Sequence, residues 1–340
     1  MRVAVIGAGS MGGMHAALLG AMDDVTELLV VDADSERAAA VAARTGGDAV
    51  PMERAMEADA VVVATPPELH AATVETAIEA GRSVLCEKPL TDALASTIEL
   101  TRYALETDAH LEVGFHRRHD AGFAGVRRAV EDGSIGRIHL LSLVAHDPLV
   151  PPTPEIIGPA PEAAPAFRDS SIHDFDVVRW LTDQEVVEVT VQAGRRDGTR
   201  TDDPRGIERA VTTMRLSDGT LAVLTSSWLH PTGYDTRVEI VAEHAALSAG
   251  LSPRTPASHL DWPTGGAESV WRGYLERFEP AYRAELVAFL AAARGEREPA
   301  TSARDGLEAM RIAVAATRAH LEHRRVLVDE IAGLEPLEVA

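Results

Sequence analysis

Several residue types are scarce in this sequence, and each shortage excludes something. Cys86 is the only cysteine, so no internal disulfide can form, and a reducing, cytoplasmic setting fits best. Inside the apolar run Val84-Leu85-Cys86 the thiol reads as inert core rather than nucleophile. Positive charge is short as well: 32 Lys plus Arg stand against 53 Asp plus Glu, a net charge of −21. Nucleic acid and anionic membrane both need basic surface, so neither is expected as a partner. No apolar run approaches the ~20 residues of a membrane-crossing helix. The start, Met1 to Ile6, lacks a signal-peptide layout. Asparagine is absent, which with the arginine and alanine bias looks like base composition and carries no function.

Lysine is the most telling shortage. Of the 32 basic residues 31 are arginine, and Lys88 alone is lysine. Arginine stays protonated at working pH, whereas a buried lysine can shift its pKa and move protons. One lysine surviving by chance is the bland alternative, and its setting decides against it. The run Val84-Leu85-Cys86 reads as a buried parallel strand with Glu87-Lys88 at its carboxyl end. In open α/β sheets that edge binds ligands.

What is present is enough chain for two domains, 340 residues at 46% hydrophobic and 25% charged. Val3–Ile6 leads into Gly7-Ala8-Gly9-Ser10-Met11-Gly12 and then a helical run. In this strand–GxGxxG–helix, Gly7 permits the tight turn, Gly9 lets the backbone approach a pyrophosphate, and Gly12 lets helix and strand pack closely. The helix N-terminus, with Ser10 and Met11, offers N–H groups to phosphate. A second strand, Glu27–Val31, ends at Asp32, placed to accept from ribose hydroxyls and repel a 2′-phosphate. NAD is therefore expected over NADP, although Arg37 leaves room for dual use. An N-cap role for Asp32 or Asp34 is compatible with this. A third strand, Ala60–Ala64, ends at Thr65 and Pro66, a dinucleotide position, with His70 a further cofactor candidate. Strands alternating with helices up to Phe115 predict a doubly wound parallel sheet, a Rossmann domain over 1–119.

The remainder, 120–340, predicts an α+β domain. Val186–Ala193, Glu208–Leu216, Thr220–Trp228 and Thr236–Ala242 read as strands of a largely antiparallel open sheet, with a hairpin at Ser217-Asp218-Gly219. Helices are expected around Tyr282–Arg294 and Arg304–His323, and loops at 194–206 and 251–266. A segment with seven prolines, Pro148 to Pro165, suits a site wall or lid. After it comes Asp169-Ser170-Ser171-Ile172-His173. On a helix Asp169 and His173 share a face, where a carboxylate would orient and strengthen an imidazole base. A plain N-cap aspartate beside an unrelated histidine fits the spacing equally. A metal held by His146, His173, Asp174 and Asp176 is a third option; no HExxH or CxxC is present, and no metal is expected.

With GAGSMG at Gly7–Gly12, ATPPELH at Ala64–His70, CEKPL at Cys86–Leu90, GFHRRHD at Gly114–Asp120, DSSIHDFDVVRWL at Asp169–Leu181 and GYDTRVEI at Gly233–Ile240, the chain resembles the glucose–fructose oxidoreductase / inositol dehydrogenase family. The likeness covers nearly the whole length and is nearest the myo-inositol 2-dehydrogenase branch. It implies that Lys88, Asp169 and His173 act together: His173 takes the proton of a substrate hydroxyl, Asp169 orients it, and Lys88 holds the oxygen and joins the relay. Glu87 and Pro89 would shape the nicotinamide side, and Arg117, His146, Asp147 and Tyr234 would reach the hydroxyls of a polyol or sugar. A homo-oligomer, dimer or tetramer, is implied too. The stretch 158–168 and Trp228–Thr232 depart from the family pattern, which leaves the substrate more open than the chemistry. A pyranose dehydrogenase, an NAD-dependent glycoside hydrolase and a non-catalytic sugar sensor are the alternatives.

Overall fold

The computed structural model describes residues 1–149, 161–256 and 270–334. The chain divides into two compact units: Met1–His116 with Tyr282–Leu307 and Leu334–Ala340, and Arg117–Ala281 with Glu308–Gly333.

In the first unit the elements run β1 (Arg2–Ile6), α1 (Ser10–Gly20), β2 (Glu27–Val31), α2 (Ser35–Thr45), β3 (Asp48–Ala49), α3 (Met52–Ala55), β4 (Ala60–Val63), α4 (His70–Glu79), β5 (Ser83–Cys86), α5 (Leu94–Glu106) and β6 (Leu111–Val113). The sheet order is β3-β2-β1-β4-β5-β6, with every pair parallel. Strands buried on both faces read as unbroken apolar runs, and Val3–Val5 and Ala60–Val63 have no exposure at all. Register does the positioning. Ile6 pairs with both Val31 and Val63, Val63 with Cys86, and Cys86 with Val113. The carboxyl ends of five strands are therefore level, so Gly7, Asp32, Ala64, Glu87 and Gly114 follow along one edge. The strand order reverses beside β1, which is where such a sheet opens a crevice.

The second unit holds α6 (Ala121–Glu131), β7 (Ile138–His146), a π-helical turn (Ala166–Ser171) running into α7 (Ile172–Thr182), β8 (Val186–Gly194), β9 (Arg209–Leu216), β10 (Leu221–Ser227), β11 (Asp235–Ala242) and β12 (Ala246–Ala249). After α8 (Tyr274–Ala293) and α9 (Ala303–Leu321), whose residues are divided between the two units, comes β13 (Val326–Leu327). The sheet order is β12-β11-β7-β10-β9-β8-β13. Only β7 and β10 pair in parallel, so the sheet is largely antiparallel. Its strands alternate: in β9 Ala210, Thr212, Met214 and Leu216 face inward while Arg209, Val211, Thr213 and Arg215 face outward. Helices α6 and α7 pack on each other, on β12 and on β7.

Three details differ from the sequence reading. The segment Tyr282–Leu307 returns to the first unit. It does so because β6 is an edge strand whose open side needs partners: the Thr301 hydroxyl accepts from the Val113 N–H and donates to its C=O, both at 2.9 Å. Helix α8 begins at Tyr274, ahead of Pro280, rather than near Tyr282. Proline removes one N–H bond, and burial of Phe278 and Tyr282 on either side offsets that loss. Finally, β3, β12 and β13 are too short to have shown a strand period. Most of the proline-rich segment and of the loop 251–266 lies outside the described residues.

Candidate active site

Along the level edge of the first unit, the glycine-rich turn behaves as its spacing requires. Gly7 has φ 97°, and a Cβ there would sit 2.4 Å from the Ala64 carbonyl oxygen. A Cβ on Gly12 would fall 1.6 Å from the Gly7 oxygen, whereas one on Gly9 would meet nothing within 4 Å. The outer two glycines are thus demanded by the protein's own packing, and Gly9 faces open space where a pyrophosphate can approach. No side chain caps α1, which leaves the N–H groups at Ser10, Met11 and Gly12 to a ligand.

Asp32 and Asp34 divide the two roles that the sequence left joined. Asp34 is the N-cap of α2, accepting from Glu36 and Arg37 N–H groups at 3.0 and 3.1 Å. Asp32 accepts from Ala8 N–H at 2.7 Å, from Asp34 N–H at 2.8 Å, and from Arg37 Nη2 at 2.6 Å and Nε at 3.1 Å. The hydrogen bond from Arg37 holds its carboxyl down to about 2. Asp32 is thus a fixed anion braced against the glycine turn. Arg37, read earlier as an opening for NADP, is engaged with Asp32.

His70 is buried in the first turn of α4, its Nε2 2.8 Å from the Thr65 carbonyl and its Nδ1 3.0 Å from the Pro89 carbonyl. It ties the corner after β4 to the corner after β5. Pro66 is exposed and Thr65 half-buried on that edge. At the β5 corner Lys88 is half-buried and the Lys88–Pro89 peptide is cis. Glu87 turns inward: its Oε1 lies 2.7 Å from His15 Nε2 and its Oε2 accepts the Lys88 backbone N–H at 3.2 Å. Expected on the nicotinamide side, Glu87 is 6% exposed and braces Lys88 from beneath. Neither the His15–Glu87 pair nor the His70 bridge was visible in the sequence, since each joins residues that only strand register brings together. Cys86 is inert: burial pushes its thiol well above the usual range and the Glu87 charge adds to this.

In the second unit Asp169 lies on the π-turn and His173 on the first turn of α7. The Arg168 guanidinium reaches both Asp169 oxygens, at 2.7 and 3.1 Å. His173 is buried. The π-turn widens the spacing of side chains ahead of His173, a departure from the simple i, i+4 face expected. Arg117 is 2% exposed and donates to Asp174 Oδ1 at 2.5 Å; burial opposes its charge, but Asp174 and Tyr234 hold the guanidinium ionised. Arg118 pairs with Asp176 at 2.5 Å. Both carboxylates weighed as metal ligands therefore face arginines. Burial raises the Tyr234 phenol. Arg117 and Tyr234, expected at polyol hydroxyls, are built into this framework. His146 ends β7, with Nδ1 2.8 Å from Ser227 Oγ and its ring stacked on His230 at 5.0 Å. Burial, then the neighbouring His230, lowers its pKa, so it is neutral near pH 7. Asp147 accepts from the Leu149 N–H at 2.9 Å.

A parallel sheet in this order, with a glycine turn and a fixed acid at its crevice, defines an NAD-binding oxidoreductase domain. Family models agree unit by unit: an oxidoreductase family with NAD-binding Rossmann fold matches residues 1–115, and a GFO/IDH/MocA C-terminal domain matches 123–248. The chain is 37% identical to the myo-inositol dehydrogenase Hyg17 of Streptomyces leeuwenhoekii, over 94% of this chain and 97% of that one. The crystal structure of a myo-inositol dehydrogenase from Corynebacterium glutamicum superposes with a TM-score of 0.85 at 28% identity, covering 96% and 98% of the two chains. That of a Lactobacillus casei myo-inositol dehydrogenase, in complex with NAD(H) and myo-inositol, gives 0.82 at 26% identity, covering 99% and 98%. The chain belongs to the GFO/IDH/MocA oxidoreductase family.

Proposed function

We propose that this protein is an NAD-dependent inositol dehydrogenase that oxidises a secondary hydroxyl of a cyclic polyol, with myo-inositol the first substrate to test. Full-length likeness to proteins named for that reaction carries the reading, and the one lysine of the chain, at the end of β5 on the dinucleotide edge, agrees with it. The edge fits NAD: Gly9 leaves room for the pyrophosphate, α1 offers its N–H groups, and ionised Asp32 suits ribose hydroxyls and repels a 2′-phosphate. When bound, NAD supplies the hydride acceptor at nicotinamide C4.

The chain's own residues handle the proton. His173 accepts it from the substrate hydroxyl, Asp169 orients the imidazole and stabilises its charged form, and Lys88 holds the hydroxyl oxygen and joins the relay. Arg117, His146, Asp147 and Tyr234 set the polyol's position, Arg117 and Tyr234 through the framework they share. Glu87 and Pro89 shape the corner that carries Lys88, and Thr65, Pro66 and His70 shape the corner beside it.

The protein acts as a homo-oligomer built on the outward face of its antiparallel sheet. Leu140, Val211, Leu221 and Val241 stand there at 36–45% exposure, an apolar patch that a second copy would cover. Its single buried thiol suits the reducing cytoplasm, where NAD is held.

The test is to mix protein, NAD and a panel of inositols and aldoses and follow absorbance of reduced nicotinamide. Stoichiometric NADH with an inositol supports the reading. NADH from aldoses alone would move the substrate to a pyranose, and sugar release from a glycoside without net NADH would overturn the dehydrogenase.

A further inference from the structure

Three carboxyl groups from three elements are buried in the first unit: Glu87 after β5, Glu112 in β6 and Glu285 in α8, at 6%, 3% and 3% exposure. Two of them are well supplied with donors. Glu87 has His15 and the Lys88 N–H. Glu112 has His110 Nε2 at 3.0 Å and the Ala300 N–H at 2.9 Å. Glu285 has no donor to its Oε2, and electrostatically it feels both of the other carboxylates. Three like charges cannot share so dry a space. The proton therefore belongs on the member with the fewest donors.

The aromatic surroundings close the site. His15 meets the Tyr282 ring edge-on at 5.9 Å, and the His116 ring lies 4.2 Å from it, tilted by 31°. Tyr282 precedes Glu285 by three residues on the same face of α8. Gly114 completes the fit, since a Cβ there would come 3.2 Å from Glu87 Oε2. The charged groups that bear on Glu285 are Glu87 from the β5 corner and Glu112 from β6, and its neighbour on α8, Tyr282, carries the rings of His15 and His116.

We propose that Glu285 is a positioning residue, a neutral carboxylic acid whose lack of charge leaves Glu87 to its contacts with His15 and the Lys88 N–H, which hold the Lys88 corner to the helix of the glycine turn. Glu87 links α1, which receives the cofactor, to the backbone of Lys88. Ionising Glu285 would set a second negative charge against Glu87 and loosen both links. Burial pushes Glu285 well above the usual carboxylate range, with Glu87 and Glu112 adding to it. The native state then binds a proton that the unfolded chain has released, so stability falls as pH rises from the ordinary carboxylate range toward the raised value. This inference rests on reading the Lys88 corner as part of the cofactor and proton-transfer edge.

The experiment compares the full chain with E285Q and E285A in three readouts: Tm at pH 5 and pH 8, NADH affinity by fluorescence, and turnover with myo-inositol. Glutamine keeps the shape and the neutrality, so its Tm advantage over the wild type should be larger at pH 8 than at pH 5 by roughly 5 °C. E285Q should hold NADH affinity and turnover within about three-fold, while E285A weakens NADH by about ten-fold and lowers kcat as well. A Tm difference that does not change with pH, an E285A with unaltered NADH affinity, or an E285Q as damaged as E285A would each overturn the proposal. A merely structural role would lower the Tm of E285A equally at both pH values without altering NADH affinity. Should all variants bind NADH as described and none oxidise inositol, the positioning role stands and the substrate reading falls.

Discussion

Lys88→Arg keeps the charge and removes the transferable proton, which makes it the sharpest test at the scale of single residues. Thermal stability and NADH binding should stay near wild type while kcat falls by about 100-fold or more. Stopped-flow with inositol measures it, and near-normal turnover would end the proton-relay role. Asp32→Ser removes the fixed anion that repels a 2′-phosphate. The ratio of kcat/KM for NADP to that for NAD should rise by about ten-fold or more; an unchanged ratio would reduce Asp32 to a brace for Ala8. Asp32 also has a pH signature. Its carboxyl is held down to about 2 by Arg37, so its contribution to stability is complete above the ordinary aspartate range and is lost as pH falls from ~4 toward 2. Urea unfolding of wild type and Asp32→Ser at pH 7 and pH 3 should show a smaller difference at the lower pH. This residue scale was also the most readable in the sequence: the glycines, Asp32 and Lys88 announce themselves by type and by place at strand ends. His15, Glu285 and the bridging role of His70 did not, because their partners lie 72 residues away for His15, 198 and 173 for Glu285, and 5 and 19 for His70, and no local period links such positions.

Among elements, the π-turn Ala166–Ser171 sets how Asp169 is presented ahead of α7. A π-turn carries one residue more than the α-helical turn it replaces. Deleting Ser170 should let α7 extend backward as ordinary helix and turn Asp169 through about 100°. Activity should fall by about 100-fold with NADH binding intact, as NADH titration and steady-state kinetics would show; full activity would mean that the orientation of Asp169 does not matter. Sequence spacing proposed a helix here and was right about α7, but a π-turn and an α-turn have the same residues and differ only in which carbonyl each N–H meets. Strands fared likewise. The alternation in β8 to β11 is written in the chain because one sheet face is buried, whereas two-residue strands such as β3 and β13 are defined wholly by their partners.

At the scale of the whole molecule, the outward face of the antiparallel sheet gives the remaining prediction. Val211→Asp sets a charge in the middle strands of that face and should shift the protein toward a smaller species in size-exclusion chromatography with light scattering, leaving circular dichroism unchanged. An unaltered mass would place the oligomer contact elsewhere. The βα alternation dictated the parallel sheet, since periodicity and glycine turns are properties of contiguous residues. Tertiary structure alone decided that 282–307 rejoins the first unit, that Arg37 closes on Asp32, that Arg117 is spent on Asp174, and that Glu285 is buried within the influence of Glu87 and Glu112. The physical reason is common to all four. Burial and charge pairing depend on which distant segments meet, and a sequence states the groups but not their neighbours.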